Sequence, residues 1–279
     1  MQSQMQTQLI KIPDRIAPFL KVEKCNDFPE DRYFKTREHS KIIQEVLMRR
    51  KTFSEMNLLG VPLLNTTLLY GPTGTGKTTF CRYIAYKLNI PFVYINFATL
   101  VDIGNSGQTA RNLCEIFNLI QDMECVFTLD ELDCVAVNRE KDDANINGGE
   151  LRRITISLMQ LLDDYERRKV NSIVMGCTNR PEDVDAALRN RFRLKKQIGR
   201  ITVEEKKAYI RQYIGSIKCM AGGYGPITLD QSNLDEYCLR GSTLSMRDMD
   251  ADIKAALIRW IESGHKQFIL ERIRDVDMA

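Results

Sequence analysis

The sequence predicts an α/β protein in which a three-layer αβα domain with a parallel sheet is followed by a small all-helical domain. Strand-like and helix-like segments alternate from residue 67 to residue 198, which is typical of a parallel sheet with helices on both faces. A glycine-rich loop joins the first of these strands to an amphipathic helix. Beyond Arg200 the strand-like segments stop. The predicted parts are an N-terminal arm (1–30), a large α/β domain (31–200) and a small helical domain (201–279).

The individual elements follow from the spacing of the apolar residues. A first helix is predicted over 37–56, where Ile42, Ile43, Val46 and Leu47 recur at helical spacing. Strands are predicted at 67–70, 91–96, 125–129 and 172–178, and 195–198 suits a fifth strand at the sheet edge. The helices between them are predicted at 80–88, 108–121 and 149–167. The helical domain is expected to contain helices at 203–213, 234–239 and 246–262, and a further one at 267–274.

Composition places broad limits on the class of protein. The chain has 279 residues, of which 43% are hydrophobic and 28% charged, so it can bury a core of ordinary size. Its net charge of +3 neither requires nor excludes a nucleic-acid partner, because clustering of charge matters more than the total. The eight cysteines are scattered without a C-x-x-C pair, which favours a reducing compartment over a disulfide framework or a zinc site.

The N-terminal arm shows no targeting signal. Its first residues are polar, without the apolar core of a signal peptide, and no apolar run in the chain is long enough to span a bilayer. We therefore expect a cytoplasmic protein without a membrane partner. Pro13, Pro18 and Pro29 discourage a long helix in the arm. Two interpretations stay open for it, a disordered tail and a segment that binds an adaptor or a neighbouring subunit.

The glycine-rich loop carries the strongest chemical signal in the chain. Residues 71–78 read G-P-T-G-T-G-K-T, the complete G-x-x-x-x-G-K-[ST] phosphate loop of P-loop NTPases, between a strand and a helix. Backbone N–H groups of such a loop point at phosphate oxygens, with the positive end of the helix dipole behind them. Lys77 is expected to reach the β- and γ-phosphates of ATP, and Thr78 to bind Mg²⁺. The predicted nucleotide-binding residues here are Gly71, Pro72, Thr73, Gly74, Thr75, Gly76, Lys77, Thr78 and Thr79.

Two carboxylates follow the third predicted strand. Asp130 and Glu131 stand directly after the apolar run 125–129, which places them at the carboxyl end of a buried strand, where open α/β sheets bind ligands. Asp130 is expected to hold Mg²⁺ directly or through water. Glu131 is expected to orient and deprotonate an attacking water, so the pair predicts hydrolysis as well as binding.

Polar and basic residues follow the fourth predicted strand. Asn179 comes at its end, in the sequence T-N-R-P, where its amide can hydrogen-bond a γ-phosphate or the attacking water. Arg189 and Arg191 lie beyond it in what the sequence suggests is a surface loop. They are candidate arginine fingers, which neutralise developing charge in a neighbouring subunit's site. The alternative interpretation is that these arginines belong to a basic surface patch without a catalytic role.

Taken in order, these motifs resemble the AAA+ ATPases, and among them the AAA family proper, over residues 34–264. The sequence C-T-N-R-P at 177–181 and the run D-A-A-L-R-N-R-F at 185–192 are similar to that family's second region of homology. The resemblance implies that Asn179 is the sensor-one residue, Arg191 the best arginine-finger candidate and Arg189 the second. It also implies a sensor-two role for Arg247, which contacts the γ-phosphate from the helical domain, as in remodellers of the HORMA-domain type. Family members form hexameric rings or open spirals with nucleotide at each subunit interface.

One segment departs from the family pattern. Members that thread proteins carry an aromatic-hydrophobic-glycine loop that lines the central pore. The corresponding segment here, 98–106, has Gly104 but is shorter and has no aromatic residue, which leaves Ile103 to contact apolar side chains. The polar segment 138–149 is expected to form a second pore-facing loop or to be disordered in the isolated subunit.

Three functions are compatible with these residues. The first is a homo-oligomeric ATPase that remodels or disassembles a protein client, with or without an adaptor. The second is an ATP-dependent switch on nucleic acid, of the loader or transposition-regulator type, although Lys141, Arg152 and Arg153 are few for a basic stripe. The third is a nucleotide-gated scaffold that hydrolyses ATP slowly, against which the presence of Glu131, Asn179 and Arg191 argues. The sequence favours the first.

Overall fold

The centre of the fold is a twisted sheet. The computed structural model describes residues 12–102, 107–135, 148–217, 225–240, 243–265 and 267–272. Within them the sheet has six strands, which are β1 (Leu20–Glu23), β2 (Asn65–Tyr70), β3 (Phe92–Asn96), β4 (Val126–Asp130), β5 (Ile173–Thr178) and β6 (Leu194–Gln197). Their spatial order is β1-β3-β4-β5-β2-β6. Every neighbouring pair is parallel except β1 and β3, which are antiparallel.

Helices connect the strands and continue beyond them. They are α1 (Arg37–Leu58), α2 (Lys77–Leu88), α3 (Phe97–Asp102), α4 (Gln108–Ile120), α5 (Gly148–Arg167), α6 (Ala186–Arg191), α7 (Val203–Gly215), α8 (Gln231–Arg240) and α9 (Met246–Glu262). Several begin at a side-chain cap. The Thr36 hydroxyl accepts from the His39 N–H at the start of α1, and capping boxes begin α7 and α9. None of the described helices is both long and apolar enough to cross a membrane.

The sheet is covered on both faces, which confirms the predicted three-layer fold. On one face Ile42 of α1 and Phe80 of α2 belong to a buried cluster with Leu69 and Met175. On the other face α4 and α5 contribute to a larger cluster that includes Phe117. Each fully buried aliphatic or aromatic side chain stabilises such a core by about 1.5–3 kcal/mol relative to exposure. The central parallel strands, buried on both sides, therefore anchor the loops that follow them.

A third buried cluster lies among the C-terminal helices. It contains residues from Ile201 to Leu270 together with the partly buried Phe34. The helix predicted at 267–274 is wrong where the structure describes it, because 267–272 are not helical. Phe268 instead forms a parallel bridge with Leu229, and the Asn233 side chain binds both backbone groups of Leu270, at 2.9 and 3.1 Å.

One strand and two α-helices of the described structure were absent from the sequence prediction. Strand β1 lies inside the predicted arm, where Leu20 is buried, and pairs with β3. Helix α3 occupies part of the segment predicted as the first pore loop, and α6 part of the predicted arginine loop. Ile103 and Gly104 lie outside the described residues, as does most of the second predicted pore loop (138–147).

Candidate functional site

The phosphate-loop sequence follows β2 at the carboxyl edge of the sheet and leads into α2. Gly76 adopts the left-handed conformation, with a φ of 91°, immediately before the first residue of α2. The Thr75 hydroxyl donates to the Pro72 carbonyl at 2.9 Å and closes the loop on itself, while Thr73 and Thr79 are exposed. The loop therefore presents the amino end of a twelve-residue helix to the space above the sheet.

Lys77 is held at the centre of this edge. Its ammonium donates to the carbonyls of Gly71 and Pro72 at 2.8 and 2.9 Å and to the Asn179 side-chain oxygen at 2.7 Å. The residue is only 7% exposed. Burial lowers the pKa of Lys77, and the negative charges of Asp130 and Asp133 oppose that effect. The fold thus brings together two sequence-predicted residues, Lys77 and Asn179, that are 102 positions apart.

Thr78 and Asp130 form the pair predicted to hold a metal ion. The Thr78 hydroxyl donates to a carboxylate oxygen of Asp130 at 2.6 Å. Hydroxyl and carboxylate oxygens are ligands that suit Mg²⁺, which takes few protein ligands and completes its shell with water and phosphate oxygens. No cluster of three or more His, Cys, Asp or Glu ligands occurs in the described part of the chain. This donor set therefore fits Mg²⁺ bound together with a nucleotide.

Glu131 begins a sharp turn after β4. Its backbone is left-handed, with a φ of 56°, and a 3-10 turn over Leu132–Cys134 follows. The backbone N–H of Glu131 donates to Asp130 at 2.9 Å, whereas its own carboxylate accepts no hydrogen bond from the described residues. The left-handed backbone at Glu131 turns its side chain away from the direction of the Asp130 side chain. The Asp130 carboxylate is bound to the Thr78 hydroxyl, and the Glu131 carboxylate is not.

Asp133 is a residue of this edge that the sequence interpretation left without a role. Its carboxylate accepts from the Thr178 hydroxyl at 2.7 Å and from the Asn179 N–H at 3.2 Å. The only signal in the sequence was its place three residues after Asp130, in the turn that follows a buried strand.

The two candidate finger arginines lie on α6. The Asp185 carboxylate caps this helix by accepting from Ala187 N–H at 2.7 Å. The Arg191 guanidinium donates to both carboxylate oxygens of Asp163, at 3.2 and 3.1 Å, and to the Ala187 carbonyl at 3.1 Å. Arg189 is half-buried and has no side-chain hydrogen bond or ion pair with the described residues.

Arg247 stands near the start of α9, which touches the phosphate loop. Its backbone N–H points at the Gly74 carbonyl at 3.4 Å, and its side chain is exposed. A Cβ added at Gly74 would lie 2.5 Å from the Ser245 hydroxyl oxygen, so only glycine allows this close approach. The positive charge of Arg247 contributes to lowering the pKa of Lys77. The start of α9 therefore lies beside the phosphate loop, and the role predicted for the Arg247 side chain stays a prediction.

Comparison with known proteins identifies the segment that carries these motifs. Residues 67–200 match the model of the "ATPase family associated with various cellular activities (AAA)". The chain is 31% identical over 160 residues to the ribosome biogenesis ATPase RIX7 of Saccharomyces cerevisiae, covering 51% of this chain and 19% of that protein. It is 30% identical over 192 residues to 26S proteasome regulatory subunit 8 of Dictyostelium discoideum, covering 67% and 47%.

A third relative gives the same picture. The 26S proteasome regulatory subunit 8 homolog of Schizosaccharomyces pombe is 28% identical over 197 residues, covering 68% of this chain and 48% of that protein. The chain thus spans less than half the length of each of these relatives. The matched region includes the phosphate loop, Asp130, Asn179 and both α6 arginines. Residues 67–200, just under half of the chain, are thus similar in sequence to the AAA ATPase family.

Proposed function

We propose that the protein is a Mg²⁺-dependent ATPase that converts ATP and water to ADP and phosphate. The observation that carries the proposal is two hydrogen-bonded pairs at one edge of the sheet, Lys77 with Asn179 and Thr78 with Asp130. A phosphate-binding cation, a metal-ligand pair and a polar sensor side chain are the parts that phosphoryl transfer requires. The match to a family of ATPases supports the same activity.

Each residue at this edge has a role in the proposed reaction. Bound ATP supplies the phosphoanhydride to be cleaved, and Mg²⁺ offsets the charge of its β- and γ-phosphates. The backbone of residues 71–79 and the Lys77 ammonium bind the phosphates, while Thr78 and Asp130 hold the metal, directly or through water. Glu131 accepts a proton from the attacking water. Asn179 orients that water or the γ-phosphate through its side-chain amide.

The proposal extends to assembly and to a client. Arg191, or in its place Arg189, acts in the site of a neighbouring copy within a hexameric ring or spiral. Arg247 reaches the γ-phosphate from the helical lid (201–279), which moves against the large domain (31–200) during turnover. Contact between the start of α9 and Gly74 supports this coupling. We propose that the motion remodels or disassembles a protein partner.

A two-stage experiment tests the proposal. Phosphate release from ATP is measured with purified protein in Mg²⁺ and in excess chelator, with Lys77→Ala as the inactive reference. Turnover that depends on Mg²⁺ and disappears in the variant is expected. An equal rate in all three samples would refute the ATPase assignment.

The second stage identifies the client. Glu131→Gln protein, held in ATP, captures partners from its native lysate, and the Glu131→Gln/Lys77→Ala double variant is the control. A captured protein must then change its assembly state when wild-type protein and ATP are added. Recovery of nuclease-sensitive nucleic acid without a protein that behaves in this way would replace the remodeller with a nucleic-acid switch.

A further inference from the structure

The side chain of Asp133 joins two strand ends that the sheet itself leaves apart. The register pairs of β4 with β5 end at Leu129 and Gly176. Beyond them Asp130 ends β4 and is followed by Glu131, and Thr178 ends β5 and is followed by Asn179. The Asp133 carboxylate accepts from the Thr178 hydroxyl at 2.7 Å and the Asn179 N–H at 3.2 Å. A single carboxylate oxygen of Asp133 therefore connects the ends of β4 and β5 beyond their last paired residues.

The turn that carries Asp133 is pressed against β5. The Cys134 N–H donates to the Glu131 carbonyl at 2.9 Å and closes the turn. A Cβ added at Gly176 would lie 2.6 Å from a methyl carbon of Leu132, so the absence of a side chain on β5 lets the turn approach. Leu132 is fully buried there. Packing of Leu132 therefore fixes the position from which the next residue, Asp133, reaches Thr178.

Thr178 is the junction through which this contact reaches the phosphate loop. Its carbonyl accepts from the Gly71 N–H at 3.3 Å, where the loop begins. Its hydroxyl donates to Asp133 and accepts from the Arg180 N–H at 3.0 Å. The residue is 1% exposed, so these bonds do not compete with bulk water. Asn179 follows directly, and its side-chain oxygen accepts from Lys77 at 2.7 Å.

We infer that Asp133 is a positioning residue, which fixes the backbone of Thr178 and Asn179 so that the Asn179 amide faces Lys77 and the γ-phosphate position. The inference rests on the proposed ATPase function and adds to it a residue without a previous role. A carboxylate acceptor forms stronger hydrogen bonds than a neutral one, which suits a contact that must hold one backbone position. Asp133 acts through Asn179, whose side-chain amide is the group that we propose meets the γ-phosphate.

The decisive measurement is the preference for the triphosphate. Calorimetry with Mg²⁺ gives the Kd of the non-hydrolysable β,γ-imido analogue of ATP and the Kd of ADP. Asp133→Ala is expected to raise the Kd of the analogue by about three- to tenfold and to leave the Kd of ADP unchanged. The reason is that a misplaced Asn179 loses a hydrogen bond to the γ-phosphate alone. Asp133→Asn keeps an acceptor oxygen and is expected to restore the preference. If Asp133 merely stabilised the fold, its loss would weaken the binding of both nucleotides alike.

Two further variants test the route and the specificity. If Asp133 acts through Asn179, the Asp133→Ala/Asn179→Ala double variant discriminates no worse than Asn179→Ala alone. Asp230→Ala is the matched control, because it removes a carboxylate that accepts from a backbone N–H, at 2.9 Å, in the C-terminal helices. It should leave both Kd values unchanged. Amide hydrogen exchange at Asn179 should accelerate in Asp133→Ala and not in the control.

The outcomes separate this inference from the function on which it rests. A wild-type chain that binds the analogue no better than Lys77→Ala does would overturn both. A wild-type preference for the triphosphate that survives in Asp133→Ala would overturn the positioning role alone. If Asp133→Ala does not fold, Thr178→Val takes its place. It removes one of the two donors and must reduce the preference, and an unchanged ratio would contradict the inference.

Discussion

Lys77 and Arg191 are both cations of the candidate site, but they differ in burial and in the partners that they bind within their own chain. Lys77 is 7% exposed and is bound to the loop carbonyls and Asn179, all at the phosphate edge. The Arg191 side chain is 34% exposed and is bound to Asp163 and Ala187, away from that edge. One chain thus assembles the half of the candidate site that we propose binds phosphate. The arginine half is oriented by α6, and we expect a second copy to bring it into use.

The largest effect is expected at the assembled half. Lys77→Ala should reduce ATP affinity by about 100-fold or more, because charge-assisted hydrogen bonds to two phosphates are lost. Calorimetric titration with ATP and Mg²⁺ measures this. Lys87→Ala is the matched control, since Lys87 lies on the same helix and pairs with Glu30 at the surface. Unchanged affinity in Lys77→Ala would contradict the phosphate-loop assignment.

The second prediction tests whether the arginine half works between copies. Arg191→Ala should bind ATP normally and lose about 10³- to 10⁵-fold in turnover, as expected for an arginine finger. Mixing it with Lys77→Ala protein should restore part of the activity, because each variant supplies what the other lacks. Phosphate release across a series of mixing ratios measures the rescue.

Two results would change this assignment. Absence of rescue at every ratio would count against action in trans. A comparable loss in Arg189→Ala with little effect in Arg191→Ala would move the role to Arg189, whose guanidinium has no partner among the described residues.

Glu131→Gln separates binding from turnover within the assembled half. The amide keeps the shape of the carboxylate and cannot accept a proton, so turnover should fall by about 10²- to 10⁴-fold while ATP affinity stays. Single-turnover phosphate release and calorimetry measure the two effects. Glu204→Gln, at an exposed side chain that pairs with Lys207, should change neither. Turnover near the wild-type rate would remove Glu131 from the role of base.

Local patterns in the sequence predict some features of this site, and contacts between distant residues escape them. The layers of the fold and the position of Lys77 follow from spacing, because apolar periodicity and a contiguous motif are local properties of the chain. Partnerships across distant positions have no such signal. Asp133 and Thr178 are 45 positions apart, and Arg191 and Asp163 are 28 apart on different helices. The register of β4 against β5 and the packing of α5 on α6 decide these contacts, and neither is written into a local pattern.

Short elements were lost from the sequence prediction for a related reason. Strand β1 has four residues and α6 has six, which is too few for periodicity to show. Hydrogen bonds that apolar periodicity does not reveal hold both in place. Pairing with β3 fixes β1, whereas the Asp185 cap and the Thr66 hydroxyl, which donates to the Arg191 carbonyl at 2.9 Å, fix α6.

The smallest effect is expected from freeing Arg191. The Asp163–Arg191 pair is partly exposed, so Asp163→Asn should lower the free energy of unfolding by no more than about 1 kcal/mol. If Arg191 must leave Asp163 to reach a neighbouring site, loss of the pair removes that cost, and turnover should rise by no more than about fivefold. Thermal unfolding and phosphate release measure the two quantities. Glu166→Gln is the control, because Glu166 lies on the same helix as Asp163 and pairs with Arg193. Loss of that pair should leave turnover unchanged. A large fall in turnover in Asp163→Asn would instead mean that the pair holds Arg191 in its working orientation, and the α6 arginine would then be as preassembled as Lys77.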